Sequence, residues 1–377
     1  MRKPLSAIIL VPVLLTLYNC GPKVTSQSDV DTPEYHYRAG MRYLEDEDYA
    51  SAIRSFQRSV DLDKKFAPGW AGLGLTTGLK GDLKEGRKLM DKALGQGKKN
   101  PDVHVLAGRL WIAHRDEGKN WLKKAKNEFE RALKLKPGHE AATYYLGVAF
   151  LQNYDFSLAE NEFRKLVERK GEYASRADEM WSLSQKIVRA QPGTLAGKKI
   201  ALQPKITRAD LAVLLIEELK LPEIFERFIP EKTPAFQTPG QMRARAETPL
   251  PPDVQGTWAQ RWVEEAMDLG ILEPDPDGNF YPSEPLTRAG YAKAVARILV
   301  AATRDPDLET RYFGESPSRF SDVSSSHFAY PAMALCAERG IMKADLVTGK
   351  FEPAGSVGGA DALLIIRAVQ NSLRLTF

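Results

Sequence analysis

A 34-residue period governs the first half of the chain. Stacked in rows from Pro33, the sequence aligns Gly40, Gly74, Gly108 and Gly147 in one column and Ala52, Gly86, Ala125 and Ala159 in another. Phe56, Met90, Phe129 and Phe163 follow four residues later, then Ser59, Ala93, Ala132 and Leu166 after three more. A fixed period of this length means one supersecondary unit copied and stacked, because a single copy cannot bury its own apolar stripe. Four units emerge, 33–66, 67–100, 101–139 and 140–173, the third with five extra residues near His114 to Asn120. Each has two amphipathic segments around a polar turn. In the first, Ala52, Phe56 and Ser59 with Val60 share one helical face. Asp48 and Asp82 mark turns, and Pro101 and Pro137 mark boundaries.

This pattern resembles the tetratricopeptide repeat over residues 33–173. The resemblance implies a helical-hairpin superhelix whose first helices line a concave groove. The groove positions are Tyr37, Met41, Leu75, Arg109, Ile112, Tyr144 and Val148, a mostly apolar set with one guanidinium, suited to an unidentified protein or peptide with hydrophobic anchors. Some of these residues fit equally well as packing between repeats. The lysine-rich run Lys119 to Lys136 carries the stripe Leu122, Ala125, Phe129 and Leu133, so its lysines read as a solvated face. The net charge of +4 over 377 residues also argues against a nucleic-acid partner.

The second half repeats a different unit. Asp253-Val254, Trp258-Ala259, Leu269-Gly270-Ile271, the string from Asp277 to Pro282 and Leu286-Thr287-Arg288-Ala289 come first. About 70 residues later come Asp322-Val323, His327-Phe328-Ala329, Gly340-Ile341, Gly349-Lys350-Phe351 with Pro353, and Val357-Gly358-Gly359-Ala360. Ile206-Thr207-Arg208-Ala209 opens a third helix of the same type. Thr207 and Thr287 are placed to N-cap their helices, Gly270 and Gly340 to stop the preceding ones, and Asp277-Gly278 to turn tightly. The DPDPDGN string is not a calcium loop, since position twelve from Asp275 is Leu286 instead of a bidentate glutamate.

These motifs resemble the S-layer homology module, a helix–loop–helix unit that usually occurs in threes. The resemblance implies a mainly α fold in a pseudo-threefold arrangement, with inter-module grooves that bind cell-wall polysaccharide or peptidoglycan-associated glycan. Residues 253–303 and 320–377 are the second and third modules. Residues 174–220 combine a capping helix with a degenerate first module, which lacks the aspartate–valine and aromatic markers. The implied glycan contacts are Arg208 and Arg288, at helix starts beside exposed backbone donors, with Asp253, Trp258, Asp322, His327 and Phe328. Trp258 and Phe328 fit equally well as core anchors. Gly358-Gly359 stands where Thr-Arg would, so the third groove lacks the anion contact, and one or two remaining grooves suffice. Residues 221–252 read as a proline-rich extended insertion and 304–319 as a linker.

The N-terminus supplies an address. Arg2 and Lys3 precede an apolar run from Leu5 to Tyr18, too short to span a bilayer comfortably. Cys20 follows, with Leu17 three residues before it, while Tyr18 and Asn19 depart from the small residues expected there. The segment resembles a bacterial lipoprotein signal, 1–19, followed by a flexible tether, 20–32. The implied modification is lipidation of Cys20, which holds the protein at a membrane. Gly21 after the cysteine leans towards the outer membrane of a Gram-negative cell.

No catalytic constellation is visible. Gly-x-Ser-x-Gly, a phosphate loop and His-Glu-x-x-His are absent, and His36, His104, His114, His139 and His327 are scattered. Two cysteines and five histidines leave little for a metal site, and Cys336 reads as a buried small hydrophobe. The expectation is a noncatalytic cell-envelope tether or scaffold without cofactor. The alternative is an assembly or secretion accessory whose C-terminal modules are only structural.

Overall fold

The computed structural model describes residues 30–228 and 250–375. Cys20 and the prolines at 230, 234, 239 and 249 lie outside the described residues. The described chain is mainly α-helical, with no strand. None of its helices is long and apolar enough to cross a membrane. It divides into two compact units between Ala149 and Phe150.

The first unit is built from helical hairpins. Its helices are α1 (Pro33–Glu45), α2 (Tyr49–Leu62), α3 (Ala67–Leu79), α4 (Leu83–Gln96), α5 (Pro101–Ala113), α6 (Trp121–Leu135) and most of α7 (Glu140–Gln152). The turn residues define their starts. The Asp48 carboxylate accepts from Ser51 N–H at 3.0 Å and that of Asp82 from Glu85 N–H at 3.0 Å, capping α2 and α4. Thr32 and Asn100 do the same for α1 and α5. Each cap is worth about 1 kcal/mol. The five extra residues of the third unit form the turn between α5 and α6.

In the first and third repeats the column glycine and the column phenylalanine are two halves of one contact. The fully buried Phe56 ring lies against both Gly40 and Gly72, where an added Cβ would come within 2.6 and 2.4 Å of it. Phe129 stands in the same relation to Gly108, at 2.4 Å. Gly74 and Gly86 bring the backbones of α3 and α4 together, each Cβ position lying within 2.9 Å of the other helix.

A polar contact joins the two ends of the third repeat. His139 Nε2 meets Asp102 Oδ1 at 2.9 Å, and this bond holds the Asp102 carboxyl below its ordinary 3.8 despite partial burial. A carboxylate with a depressed folded pKa contributes stability that is complete above its unfolded value and is lost as pH falls through the folded one. The unfolding midpoint is therefore expected to fall below about pH 4, and Asp102→Asn to flatten part of that fall. A pH series of thermal melts on both proteins measures it.

The second unit carries α8 (Phe156–Arg169), α9 (Ala174–Ala190), α10 (Leu195–Ala201), α11 (Arg208–Glu217), α12 (Leu221–Phe228), α13 (Gln260–Asp268), α14 (Arg288–Thr303), a 3₁₀ turn (Pro306–Glu309), α15 (Tyr330–Glu338) and α16 (Gly359–Leu375). The packing is cyclic. Helix α11 packs on α13, α14 on α15, and α16 returns to α9 and α10. At the centre three backbone hydrogen bonds close a ring: Leu286 N–H to Ile206 C=O at 2.8 Å, Val357 N–H to Leu286 C=O at 3.3 Å, and Ile206 N–H to Val357 C=O at 2.9 Å. The three residues are equivalent in sequence, each two positions before a module's second long helix.

Two expectations need correction. Residues 221–228 of the proline-rich segment form α12, which packs on α14 and α11. Residues 304–319 are not a bare linker either. They contain the 3₁₀ turn and bury Leu308 and Tyr312, because apolar side chains in that stretch find the flank of α14. Helix α9 packs on both α8 and α16, while the short α10 leads into Ile206.

Candidate glycan and partner surfaces

The start of each module's second helix is held by the next module. Thr207 and Asp210 form a reciprocal capping box on α11, and Thr287 caps α14 through Gly290 N–H at 3.1 Å. The first backbone donors then bond across the interface: Arg208 to Glu284 C=O, Ala209 to Pro282, Arg288 to Gly355 and Ala289 to Pro353. This corrects the expectation of exposed donors beside the arginines. Those N–H groups already have partners, so only the side chains remain for an anion.

The guanidinium groups also cross the interface. Arg208 donates to Glu273 C=O at 3.1 Å, lies 3.4 Å from Asp275 Oδ1 and covers the Phe280 ring at 4.8 Å. Arg288 donates to Phe351 C=O at 2.7 Å and Lys343 C=O at 2.8 Å, and covers Phe351 at 4.8 Å. The two arginines differ at one atom. Arg288 Nε has a carbonyl partner, whereas Arg208 Nε is buried with none among the described residues.

The two aspartates shape loops. Asp253 accepts from Phe280 N–H at 3.0 Å and Tyr281 N–H at 2.6 Å. Asp322 accepts from Phe351 and Glu352 N–H, both at 2.8 Å. Burial opposes the Asp322 charge, but these backbone donors outweigh it and its carboxyl is held below 3.8. Asp253 and Asp322 therefore hold the loops that the arginines grip.

The aromatic positions are at the surface. Trp258 is 64% exposed and Phe328 is 74% exposed, so neither is a core anchor. The half-buried His327 ring stacks on Phe328 at 4.5 Å, while its Nδ1 accepts from Ala329 N–H. His327 is thus a prop behind Phe328. Lys293 Nζ approaches the same ring at 5.5 Å. Lys293 and Arg297 were not among the sequence candidates, although they stand four residues apart on the largely apolar α14. With Arg208, Glu273, Asp275 and Phe280 they line a cleft of about 120 Å³.

In the first unit the proposed partner groove is only partly open. Leu75 is fully buried in the core formed around Phe56, and Tyr144 is 9% exposed. Both pack between helices, which corrects their assignment as groove lining. Tyr37 and Met41 lean half-buried on the same core. Arg109, Ile112 and Val148 are half-buried, and the Arg109 guanidinium covers the ring of Tyr145 at 4.4 Å. The lysines of α6 are exposed opposite the buried Ala125 and Phe129. Cys336 is fully buried, and burial pushes its thiol far above the usual range.

Residues 252–292 and 319–363 match the S-layer homology domain, and residues 112–175 match a tetratricopeptide repeat. This chain carries S-layer homology domains and a tetratricopeptide repeat. Over 115 residues, 30% of its length, it is 33% identical to an uncharacterized cell wall amidase of Bacillus anthracis, of which it spans 20%. A tetratricopeptide repeat protein from Parabacteroides merdae aligns over 80% of this chain and 98% of its own at 15% identity, with a TM-score of 0.29, too loose to bear on the fold. The two S-layer homology matches cover Trp258, Phe328 and the Asp253 and Asp322 loops. Arg208 lies before the first match, yet its side chain rests on that domain's loop.

Proposed function

We propose that the protein is a noncatalytic tether or scaffold of the cell envelope. The S-layer homology domains support cell-wall binding, and the tetratricopeptide repeat supports a protein partner. The observation that carries the reading is the pair of aromatic rings, Trp258 and Phe328. Each domain leaves one exposed at the same motif position, just before Ala259 or Ala329. A large flat ring in water offers a stacking face for sugar. The partner surface reduces to Tyr37, Met41, Arg109, Ile112 and Val148, an apolar patch with one cation. Lipid on Cys20 holds the N-terminus at a membrane, the outer one in a Gram-negative cell, which places the chain between membrane and wall. The residues that match recognised domains are binding modules, and the amidase activity in the relative's name is not carried over to this chain.

One observation favours a second reading. Arg288 spends its guanidinium on two loop carbonyls, and the Asp253 and Asp322 carboxylates are used within their own modules. Those bonds suit modules that are only structural, in an assembly or secretion accessory working through its repeats.

Cosedimentation of residues 21–377 with purified sacculi separates the two. Arg208→Ala with Arg288→Ala is expected to reduce the bound fraction at least tenfold. Because both arginines also fasten modules together, Trp258→Ala with Phe328→Ala is the companion variant, since exposed rings are removed at little cost to folding. No sedimentation of wild type favours the accessory reading, whereas equal sedimentation of all three proteins means that these side chains are not the contacts.

A further inference from the structure

The loop between α15 and α16 presents two apolar side chains to water at its tip. Leu346 is 95% exposed and Val347 is 94% exposed, and no other large apolar residue among the described ones exceeds 74%. The corresponding loop of the second module is polar. It reads Asp275-Pro276-Asp277-Gly278-Asn279 and is closed by Asp275 N–H to Asn279 C=O at 2.8 Å. The third-module loop is closed in the same way, by Asp345 N–H to Lys350 C=O at 2.8 Å. It is one residue longer and reads Asp345-Leu346-Val347-Thr348-Gly349-Lys350. The extra length and the change of character fall on one short tip.

The tip is held out and cannot simply fold back. Asp345 Oδ1 accepts from Val347 N–H at 3.0 Å, Thr348 N–H at 2.7 Å and the Thr348 hydroxyl at 2.8 Å. The Thr348 donors, with Val347 N–H, hold that carboxyl below its ordinary 3.8. Ser321 supports the loop from its own N–H to Gly349 C=O at 3.1 Å and from its hydroxyl to Thr348 C=O at 2.8 Å. Arg288 fastens Lys343 C=O at 2.8 Å. A leucine and a valine are thus displayed side by side on a fixed support, which is unfavourable in water unless something covers them.

Shape and charge decide what covers them. Two neighbouring side chains on a convex turn offer far less than the about 800 Å² per partner of a stable protein interface. A bilayer needs no matching surface, because acyl chains flow around an inserted tip. Backbone polarity does not oppose entry, since the N–H groups of Asp345, Val347, Thr348 and Gly349 already have acceptors within the loop. The exposed Lys343 and Lys350 flank the tip, and the one carboxylate between them is occupied by three donors. Lysines so placed favour anionic headgroups. We propose that Leu346 and Val347 form a membrane-inserting tip for an anionic bilayer surface. The inference rests on the placement of the chain at a membrane, one part of the reading above, and not on wall binding. The tip is a second membrane contact beside the Cys20 lipid, and the lipid raises its effective concentration at the surface.

The test uses residues 21–377, which carry no acyl chain, with vesicles of phosphatidylcholine alone and of phosphatidylcholine mixed with phosphatidylglycerol. In Leu346→Cys a water-sensitive fluorophore goes to the tip, because Cys336 is fully buried. Its emission is expected to rise on the mixed vesicles as the label leaves water. Leu346→Asp with Val347→Asp lowers the vesicle-bound fraction roughly tenfold or more. Lys343→Ala with Lys350→Ala lowers it on the mixed vesicles only and flattens its salt dependence. Leu158→Asp, on the exposed side of α8, leaves it within about twofold, since exposed side chains are replaced at little cost to folding. A label that stays in water at saturating lipid overturns the proposal and leaves the tip to a protein partner. If the double aspartate variant binds vesicles as wild type does, the tip assignment fails while membrane placement stands. The same variant is expected to bind sacculi as wild type does; failure of wild type on sacculi sinks wall binding and leaves the membrane tip in place.

Discussion

Gly359→Ala is expected to destabilise the C-terminal unit by about 3 kcal/mol or more, near the upper range for overpacking. The obstacle is entirely main chain: Ile200 O at 1.7 Å, Ile200 C at 2.6 Å and Ala201 Cα at 3.1 Å. No rotamer change relieves it, so the end of α10 must withdraw from the start of α16. That movement strains the Gly359 N–H to Gln203 C=O bond, 2.9 Å long, and the ring of backbone bonds behind it. Gly359→Arg, which restores the residue found at the other two helix starts, meets the same obstacle through its own Cβ. Gly358→Ala is the control, since its nearest atom is Pro204 O at 3.3 Å. Thermal melts followed by circular dichroism are expected to show a midpoint lowered by on the order of 10 °C for Gly359→Ala and much less for Gly358→Ala. An unchanged midpoint for Gly359→Ala would contradict the closed interface.

The second large effect lies in the repeats. Phe56→Ala is expected to cost about 4 kcal/mol, because it removes a fully buried ring and leaves a cavity. The cavity cannot collapse easily. The facing residues are Gly40 and Gly72, whose backbones are already fixed in α1 and α3 and which have no side chain to move inward. Tyr37→Ala should cost far less, since Tyr37 only leans on Phe56, with ring centroids 5.9 Å apart, and is half-exposed. Urea unfolding of both variants measures the difference. The expected result is a much lower midpoint for Phe56→Ala at unchanged slope. Similar midpoints for the two variants would place the core of these repeats elsewhere.

These cases also show what was legible in the sequence. Gly40 and Gly108 with Phe56 and Phe129 announce the hairpins, because each ring fills the space its glycine leaves. The helix caps at Asp48, Asp82, Thr207 and Thr287 are local bonds and could be read locally. Gly270 and Gly340 take positive φ, 72° and 67°, as stop residues should. Partners across space were harder to read. Periodicity places Leu75 on a helix face but does not say which neighbours cover that face. Asp253 and Asp322 look the same in sequence whether their carboxylates grip a sugar or a loop. Lys293 and Arg297 on an alanine-rich helix resemble any solvated pair until Arg208 arrives from another module. The fate of Trp258 and Phe328 was open, since an aromatic in a motif serves a core or a surface equally well.

Wall binding is the claim on which the functional reading depends. Its most direct test titrates the wild-type chain, residues 21–377, against intact sacculi and against sacculi stripped of their attached polysaccharide. Saturable binding to the first and loss of binding to the second is the predicted result. Binding to neither would contradict a wall anchor and leave the half-open face around Tyr37, Met41 and Arg109 as the place to look for function. Equal binding to both would move the ligand from the attached polysaccharide to peptidoglycan itself.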